Sequence, residues 1–120
     1  MMQITELDVW KSSMDLTQTI YELADTLPED DRHGIKPLIR ETAVEVPSFI
    51  ASAASKKYGK DSLRFLYDAK TQIYKIETQL HLAHRLDYLS EEKLNELLEQ
   101  VDTARRLLFG FIKHYKRSAR

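Results

Sequence analysis

The stretch that decides the fold is SEEKLNELLEQVDTARRLLFGFIKHY, residues 90–115. Its apolar side chains recur at spacings of three and four, which places them on one face of an α-helix. Ser90 is a favourable N-cap, and Glu91 and Glu92 suit the first turn because the helix dipole is positive there. The stretch therefore predicts one long amphipathic helix whose buried face carries Leu94, Leu97, Val101, Ala104, Leu108, Phe111 and Tyr115.

Three earlier segments show the same periodicity, over about residues 7–27, 35–57 and 62–86. Short breaks that contain most of the glycine and proline separate them. No segment shows the alternation of a β-strand. Four helices joined by short loops pack most simply as an antiparallel up-down-up-down four-helix bundle, so we expect an all-α single domain over residues 1–120.

Local signals predict where these helices begin and bend. Thr5 with Asp8 resembles a capping box for the first helix, and Asp61 or Ser62 is expected to cap the third. Pro47 lies inside the second segment, where a proline kinks a helix or ends it early. We favour the kink, because the apolar period continues past Pro47.

Composition limits the class of protein. The chain has 120 residues and no cysteine, which excludes a disulfide scaffold and thiolate metal chemistry. The first residues do not read as a signal peptide, and no run of apolar residues is long enough to read as a membrane span. We expect a cytoplasmic protein that is not associated with a membrane.

The formal net charge of −1 hides an uneven distribution. In an antiparallel bundle, residues 1–15, 50–68 and 105–120 share one end, with eleven lysines and arginines against five carboxylates. Residues 22–40 and 78–99 form the other end, with five against ten. We call these the basic end and the acidic end.

The basic end predicts binding to RNA or DNA through charge neutralisation. The alternative is that these cations only interact favourably with the negative ends of the helix dipoles and keep the protein in solution. Tyr58, Tyr67 and Tyr115 are candidates for base stacking, or equally for packing. The expected nucleic-acid contacts are Lys56, Lys57, Lys60, Arg64, Arg105, Arg106, Lys113 and Arg117.

The basic end also has more apolar side chains than one bundle core needs. In the fourth helix the apolar residues between Leu107 and Ile112 span an arc of about 200° at about 100° per residue. This surplus predicts a homo-oligomer, and the alternative is a monomer with a few exposed apolar residues. The residues expected to pack in the core or between subunits are Trp10, Phe65, Leu66, Leu108, Phe111 and Ile112. The expected interface residues are Phe49, Phe65, Tyr67, Leu107, Phe109, Phe111 and Ile112.

Catalytic and metal sites are disfavoured. His81 and His84, with Glu77 one turn earlier, could face the same way, but no partner from a second helix completes a zinc site. No nucleophile is paired with an oriented base, and no glycine loop could cradle a phosphate. We therefore expect a non-enzymatic protein without a cofactor. A protein–protein adaptor is the competing class.

Six motifs in chain order carry a resemblance to a known family: Leu7-Asp8-Val9-Trp10, Thr26-Leu27-Pro28, Val46-Pro47-Ser48 with Ile50-Ala51, Arg64-Phe65-Leu66, Ile76-Glu77-Thr78-Gln79-Leu80, and Leu86-Asp87-Tyr88-Leu89. The chain resembles the bacterial four helix bundle proteins, also described as proteins encoded by intervening sequences within 23S ribosomal RNA genes. The resemblance implies a four-helix bundle, often a ring-like homo-oligomer and typically a pentamer, with no established enzymatic activity. Relatives include the accessory proteins of diversity-generating retroelements, so it also implies a reverse transcriptase and nucleic acid as partners.

Two places depart from the family pattern. After Pro47-Ser48 the family usually reads Asn-Ile-Ala-Glu-Gly, whereas this chain has Phe49-Ile50-Ala51-Ser52-Ala53. A small Gly-Ser pair of the third helix is replaced by Thr71-Gln72. A function that depends on the family's Asn and Glu is therefore not carried over to this chain, which has Phe49 and Ser52 at those positions. Phe49 is expected to strengthen a contact between subunits.

Overall fold

Four α-helices make up most of the computed structural model, which describes residues 3–56 and 59–118. A short 3-10 turn, Ile4–Glu6, precedes them. The predicted all-α class and the four helical segments are confirmed, and no strand occurs in the described ranges. The helices are α1 (Asp8–Asp25), α2 (Ile35–Ala54), α3 (Gly59–Arg85) and α4 (Glu91–Ser118).

Each helix packs against the next one, and α4 returns to pack against α1. Arg40 near the start of α2 pairs with Asp25 at the end of α1, at 2.7 Å. Gln79 late in α3 donates to Thr42 early in α2. Such contacts join the start of one helix to the end of its neighbour, as antiparallel pairs require. The resulting rod measures 47 × 23 × 22 Å.

The core runs the length of this rod and takes apolar residues from all four helices. Leu66 and Leu108 are fully buried, as expected. Trp10, Phe65 and Phe111 are half-buried and pack against the core from its edge. Close packing makes such a core sensitive to lost volume, so truncating a buried leucine to alanine costs about 2–5 kcal/mol.

Helix α2 continues through Pro47 to Ala54, which rules out an early end at the proline. Proline has no N–H, so the carbonyl of Ala43 lacks its usual donor within the helix. The hydroxyl of Thr17 on α1 lies 3.0 Å from that carbonyl and 2.8 Å from the carbonyl of Ser13. A neighbouring helix thus supplies a donor to the carbonyl of Ala43, and this single hydroxyl proton is shared with the carbonyl of Ser13.

The predicted helix caps are partly wrong. Ser90 does cap α4, because its Oγ accepts a hydrogen bond from the N–H of Lys93 at 3.1 Å. The capping box of Thr5 with Asp8 does not form, since the residue before α1 is Leu7, which has no side-chain cap. Helix α3 begins at Gly59, so neither Asp61 nor Ser62 caps it. Ser62 is instead buried inside α3 and donates to the carbonyl of Ala53 at 2.7 Å.

The loop between α1 and α2 is organised by the carboxylate of Asp31. It accepts hydrogen bonds from the N–H of Lys36 at 2.8 Å and of His33 at 3.1 Å, and from the hydroxyl of Tyr88 at 3.2 Å. The bond from Lys36, with those from His33 and Tyr88, holds the pKa of Asp31 below its usual value despite partial burial. Asp31 thus caps α2, while Gly34, with φ of 69°, supplies the left-handed turn that precedes the helix.

None of the described helices is apolar over a stretch long enough to cross a bilayer.

Candidate nucleic-acid interface

Helix α4 distributes its surplus apolar residues over three environments. Leu108 and Ile112 belong to the core, and Ile112 is only 6% exposed. Ile112 is therefore buried within its own chain, which is one of the two positions that the sequence allows for it. Phe109 lies on the flank of α4 beside α3, whereas Leu107 and Phe111 lie on the flank beside α1.

The flank beside α3 forms a groove with three lysines and two exposed aromatic rings. Its volume is about 220 Å³. The ammonium of Lys70 lies 5.2 Å from the ring centroid of Phe109, and that of Lys116 lies 5.9 Å from the ring of Tyr67. We call this feature the lysine groove, defined by Tyr67, Lys70, Phe109, Ile112, Lys113 and Lys116.

Positive charge in the lysine groove is not compensated nearby. None of its six described lining residues is acidic. Within the described ranges, no carboxylate oxygen lies within 4.0 Å of the ammonium of Lys70, Lys113 or Lys116. A groove of this kind attracts anions and attracts them less strongly at high salt.

A second basic cluster surrounds Phe65 on the α2–α3 side. The ammonium of Lys56 lies 5.1 Å from the ring of Phe65, and the guanidinium of Arg64 lies 5.8 Å from it. Phe49, where the family usually has Asn, packs against Phe65 with ring centroids 6.4 Å apart. Both rings are half-buried on their own core, so they offer less surface to another subunit than the sequence suggested.

Most of the remaining predicted cations do not line the lysine groove. Lys60, Arg106 and Arg117 are exposed, and Arg106 Nη2 lies 3.4 Å from the hydroxyl of Thr103. Lys57 and Tyr58 lie outside the described residues. Lys113 is the one predicted nucleic-acid contact that lines the lysine groove as described.

Arg105 is held inside the α3–α4 contact and not at the basic end. Its Nη2 lies 2.9 Å from Glu77 Oε2 and 2.9 Å from Asp102 Oδ1, and its side chain is 16% exposed. The hydrogen bond to Glu77 raises the pKa of Arg105. Two carboxylates compensate this guanidinium, which removes the reason for placing Arg105 among the nucleic-acid contacts.

The same pairing bears on the candidate metal site of Glu77, His81 and His84. The carboxylate of Glu77 accepts a hydrogen bond from Arg105, so it does not form a metal site with the two histidines. Among the described residues, no three His, Cys, Asp or Glu side chains are grouped as metal ligands.

Of the three tyrosines considered for stacking, Tyr67 lies in the lysine groove and is 40% exposed. Tyr115 is half-buried and packs edge-on against Phe111, with ring centroids 5.0 Å apart. Sequence reasoning missed Lys70 and Tyr74, although both follow Tyr67 at helical spacings of three and seven. They lie just beyond residues 50–68, the part of the chain that the sequence assigns to the basic end.

The flank of α4 beside α1 forms a groove of about 320 Å³, which we call the apolar groove because apolar atoms form most of its surface. Its lining residues are Leu7, Asp8, Val9, Arg106, Leu107, Gly110, Phe111 and His114. Leu107 is exposed there, Phe111 is half-buried, and Leu7 and Val9 of the opposite wall are partly or fully buried. Gly110 adds no side chain, and no other heavy atom lies within 4 Å of where its Cβ would be. This apolar groove is open to another protein surface.

These features define a small antiparallel four-helix bundle with one basic, aromatic groove and one apolar groove. The chain belongs to the family of 23S rRNA-intervening sequence proteins, whose family model matches residues 5–110. The resemblance seen in its sequence motifs is thereby confirmed.

Among solved structures, the chain is similar to a protein of unknown function from the S23 ribosomal protein family of Bacteroides thetaiotaomicron. The TM-score is 0.80 at 20% identity, and the match covers 88% of this chain and 98% of that one. At this identity the likeness shows the fold. No curated protein matches the chain.

Proposed function

We propose that the protein is a non-enzymatic, oligomeric binding and assembly protein of the cytoplasm that associates with RNA or DNA through the basic end of its bundle. The observation that carries this proposal is the lysine groove. Three ammonium groups without a nearby carboxylate face solvent beside two exposed rings. Phosphates supply the complementary charge, and they release counterions when lysines neutralise them.

Fluorescence anisotropy with a labelled, structured RNA tests the association. Binding at about 50 mM salt should weaken roughly 40-fold at about 200 mM if three phosphates are neutralised. Replacing Lys70, Lys113 and Lys116 together by Gln should remove most of the affinity and flatten the salt dependence. An unmodified protein that binds no RNA at low salt contradicts the proposal.

A matched control separates local from global charge. Arg32, Arg85 and Lys93 are exposed cations of the acidic end, and replacing all three by Gln changes the net charge by the same amount. This variant should bind RNA nearly as well as the unmodified protein. Equal losses in the two triple variants would show that total charge matters and the lysine groove does not.

Assembly is proposed to use the apolar groove between α1 and α4, with a second copy of the chain as its occupant. Leu107 is 37% exposed beside Phe111 and would be covered by the contact. The family resemblance implies a ring of five.

Light scattering at micromolar concentration should give a mass well above 14.0 kDa, and Leu107→Glu should lower it to that of the single chain. Val44→Glu, at a residue of α2 that is 38% exposed, is the control, and a monomeric unmodified protein contradicts the assembly.

The shape of the furrow along α3 is consistent with a non-catalytic role for that face. A furrow of about 490 Å³ is lined by Thr71, Tyr74, Lys75, Thr78 and Gln79, which all belong to α3. Residues of a single helix cannot enclose a substrate, whereas ligand sites bury most of a small molecule.

High salt distinguishes this function from that of a protein–protein adaptor. An adaptor contact through the apolar groove would survive salt that abolishes a contact through lysines.

A further inference from the structure

Three exposed aromatic rings lie along the contact between α3 and α4. Tyr67, Phe109 and Tyr74 are 40%, 38% and 42% exposed. Tyr67 and Tyr74 are seven residues apart on α3, which is about 10 Å at 1.5 Å per residue. Phe109 of α4 lies opposite Lys70, near the midpoint between them. Phe109 thus lies between the levels of Tyr67 and Tyr74 along the helix axes.

Each ring is accompanied by a cation, but the cations differ in what else they contact. Arg105 lies 4.9 Å from the ring centroid of Tyr74 and is held by Glu77 and Asp102. The lysines beside Tyr67 and Phe109 have no such carboxylates among the described residues. The lysines beside Tyr67 and Phe109 are therefore not paired with a carboxylate among the described residues, whereas the arginine beside Tyr74 is paired with two.

We infer that the lysine groove binds the unpaired bases of single-stranded nucleic acid, which stack on Tyr67 and Phe109 while the flanking phosphates contact Lys70, Lys113 and Lys116. This inference rests on the proposed association with nucleic acid and names the form that is bound. Every base has a face that stacks on an aromatic ring, so the site tolerates sequence. A lysine that lies over a ring reaches a neighbouring phosphate by a change of rotamer.

A double helix cannot use the site in this way. Its bases are already stacked on one another and present only their edges, so a duplex meets the three lysines with its phosphates alone. The groove should therefore prefer single strands, and the preference should depend on the two rings and not on the lysines.

The test compares three labelled probes in fluorescence anisotropy: an oligonucleotide of about 12 nucleotides, a duplex of the same length, and a single strand of the same length without bases. The single strand with bases should bind roughly tenfold more tightly than the other two. Replacing Tyr67 and Phe109 together by Ala should remove that advantage and leave duplex binding unchanged. Tyr67→Phe keeps the ring and should keep the affinity.

Tyr21 provides the matched control. It is 42% exposed on α1, and the guanidinium of Arg40 lies 5.8 Å from its ring centroid, so it repeats the pairing of ring and cation at a different site. Tyr21→Ala should leave all three affinities unchanged. Thermal unfolding followed by circular dichroism checks that each variant folds.

The outcomes separate the inference from the proposed function. Equal affinity for the three probes, or no loss in the variant without the two rings, overturns base stacking and leaves the charge-driven association standing. No binding of any probe at low salt overturns both. A loss of homo-oligomer mass in the variant without the rings, with unchanged affinity for single strands, assigns the rings to contact between subunits and also overturns the inference.

Discussion

Thr17 of α1 lies with its Oγ1 3.0 Å from the carbonyl oxygen of Ala43 on α2, the carbonyl that Pro47 cannot serve. Both residues are buried, so this carbonyl would otherwise lack a donor in a place that water does not reach. The contact therefore reduces the cost of a proline in the interior of α2.

Thr17→Val should lower the free energy of unfolding by about 1–3 kcal/mol, because it leaves the carbonyl of Ala43 unsatisfied. The loss should be smaller in a Pro47→Ala background, where an alanine N–H can serve the same carbonyl. A double-mutant cycle by urea denaturation measures the coupling. Strictly additive effects would show that Thr17 does not compensate for the proline.

Arg105 and Glu77 provide a second link between helices. Glu77→Ala should cost about 1–2 kcal/mol, because a charge-assisted hydrogen bond is lost at a mostly buried guanidinium. Asp102→Ala removes the other carboxylate, which is 65% exposed, and should cost less than about 0.5 kcal/mol. Urea denaturation of both variants tests the order of these effects, and the reverse order would contradict the assignment of Glu77 as the main partner.

Gln79 is buried between α3 and α2 with one half of its amide paired. Its Nε2 donates to Thr42 Oγ1 at 3.0 Å, whereas its Oε1 is buried without a hydrogen-bond partner among the described residues. Gln79→Leu should be neutral or stabilising, since it removes that oxygen. Thr42→Val alone should lower the free energy of unfolding by about 1–3 kcal/mol, because it also leaves the amide nitrogen of Gln79 without an acceptor.

The double variant Thr42→Val with Gln79→Leu should recover most of that loss. Thermal unfolding of the three variants gives the comparison. A large loss in Gln79→Leu alone would mean that the buried oxygen has a partner that stabilises the fold.

Asp31 makes stability depend on pH. The folded state lowers the pKa of Asp31, so its contribution is present above the unfolded value of about 3.9 and is lost as the pH falls through the lower folded value. Asp31→Asn should be less stable than the unmodified protein at neutral pH, by about 1 kcal/mol as for other lost helix caps. The difference should shrink as the pH falls below about 3.9 and through the lower folded pKa, because the unfolded state binds the proton before the folded state does.

Urea denaturation at a series of pH values measures this difference. Asp30→Asn changes the charge of the same loop at an exposed neighbour and is the control. A difference between the Asp31 variant and the unmodified protein that stays constant down to strongly acidic pH would contradict the role of the ionised carboxylate.

The helices could be predicted closely because their signals are local. The fourth helix was placed from Ser90 by its cap and its apolar spacing, and α4 begins at Glu91. The third helix begins earlier than predicted, because Gly59 resembles a break in the sequence but is the first residue of α3. Glycine disfavours the interior of a helix much more than its ends, so it marks a boundary only to within a few residues.

The candidate site could be predicted only in part. Lys113 and Tyr67 were selected from the sequence, and both line the lysine groove. Lys70 was missed and Arg105 was wrongly grouped with the free cations, because the pairing of Arg105 with Glu77 spans 28 residues. Such a contact depends on the axial register between α3 and α4, which no local sequence pattern encodes.

The sequence by itself determined four amphipathic helices and their order, since both follow from residue spacing at 3.6 residues per turn. Only the tertiary structure decided which flank of α4 faces α3. That choice brings Phe109 to Lys70 and leaves Leu107 beside α1, because side-chain packing between helices selects one rotation and one register out of many that share the same periodicity.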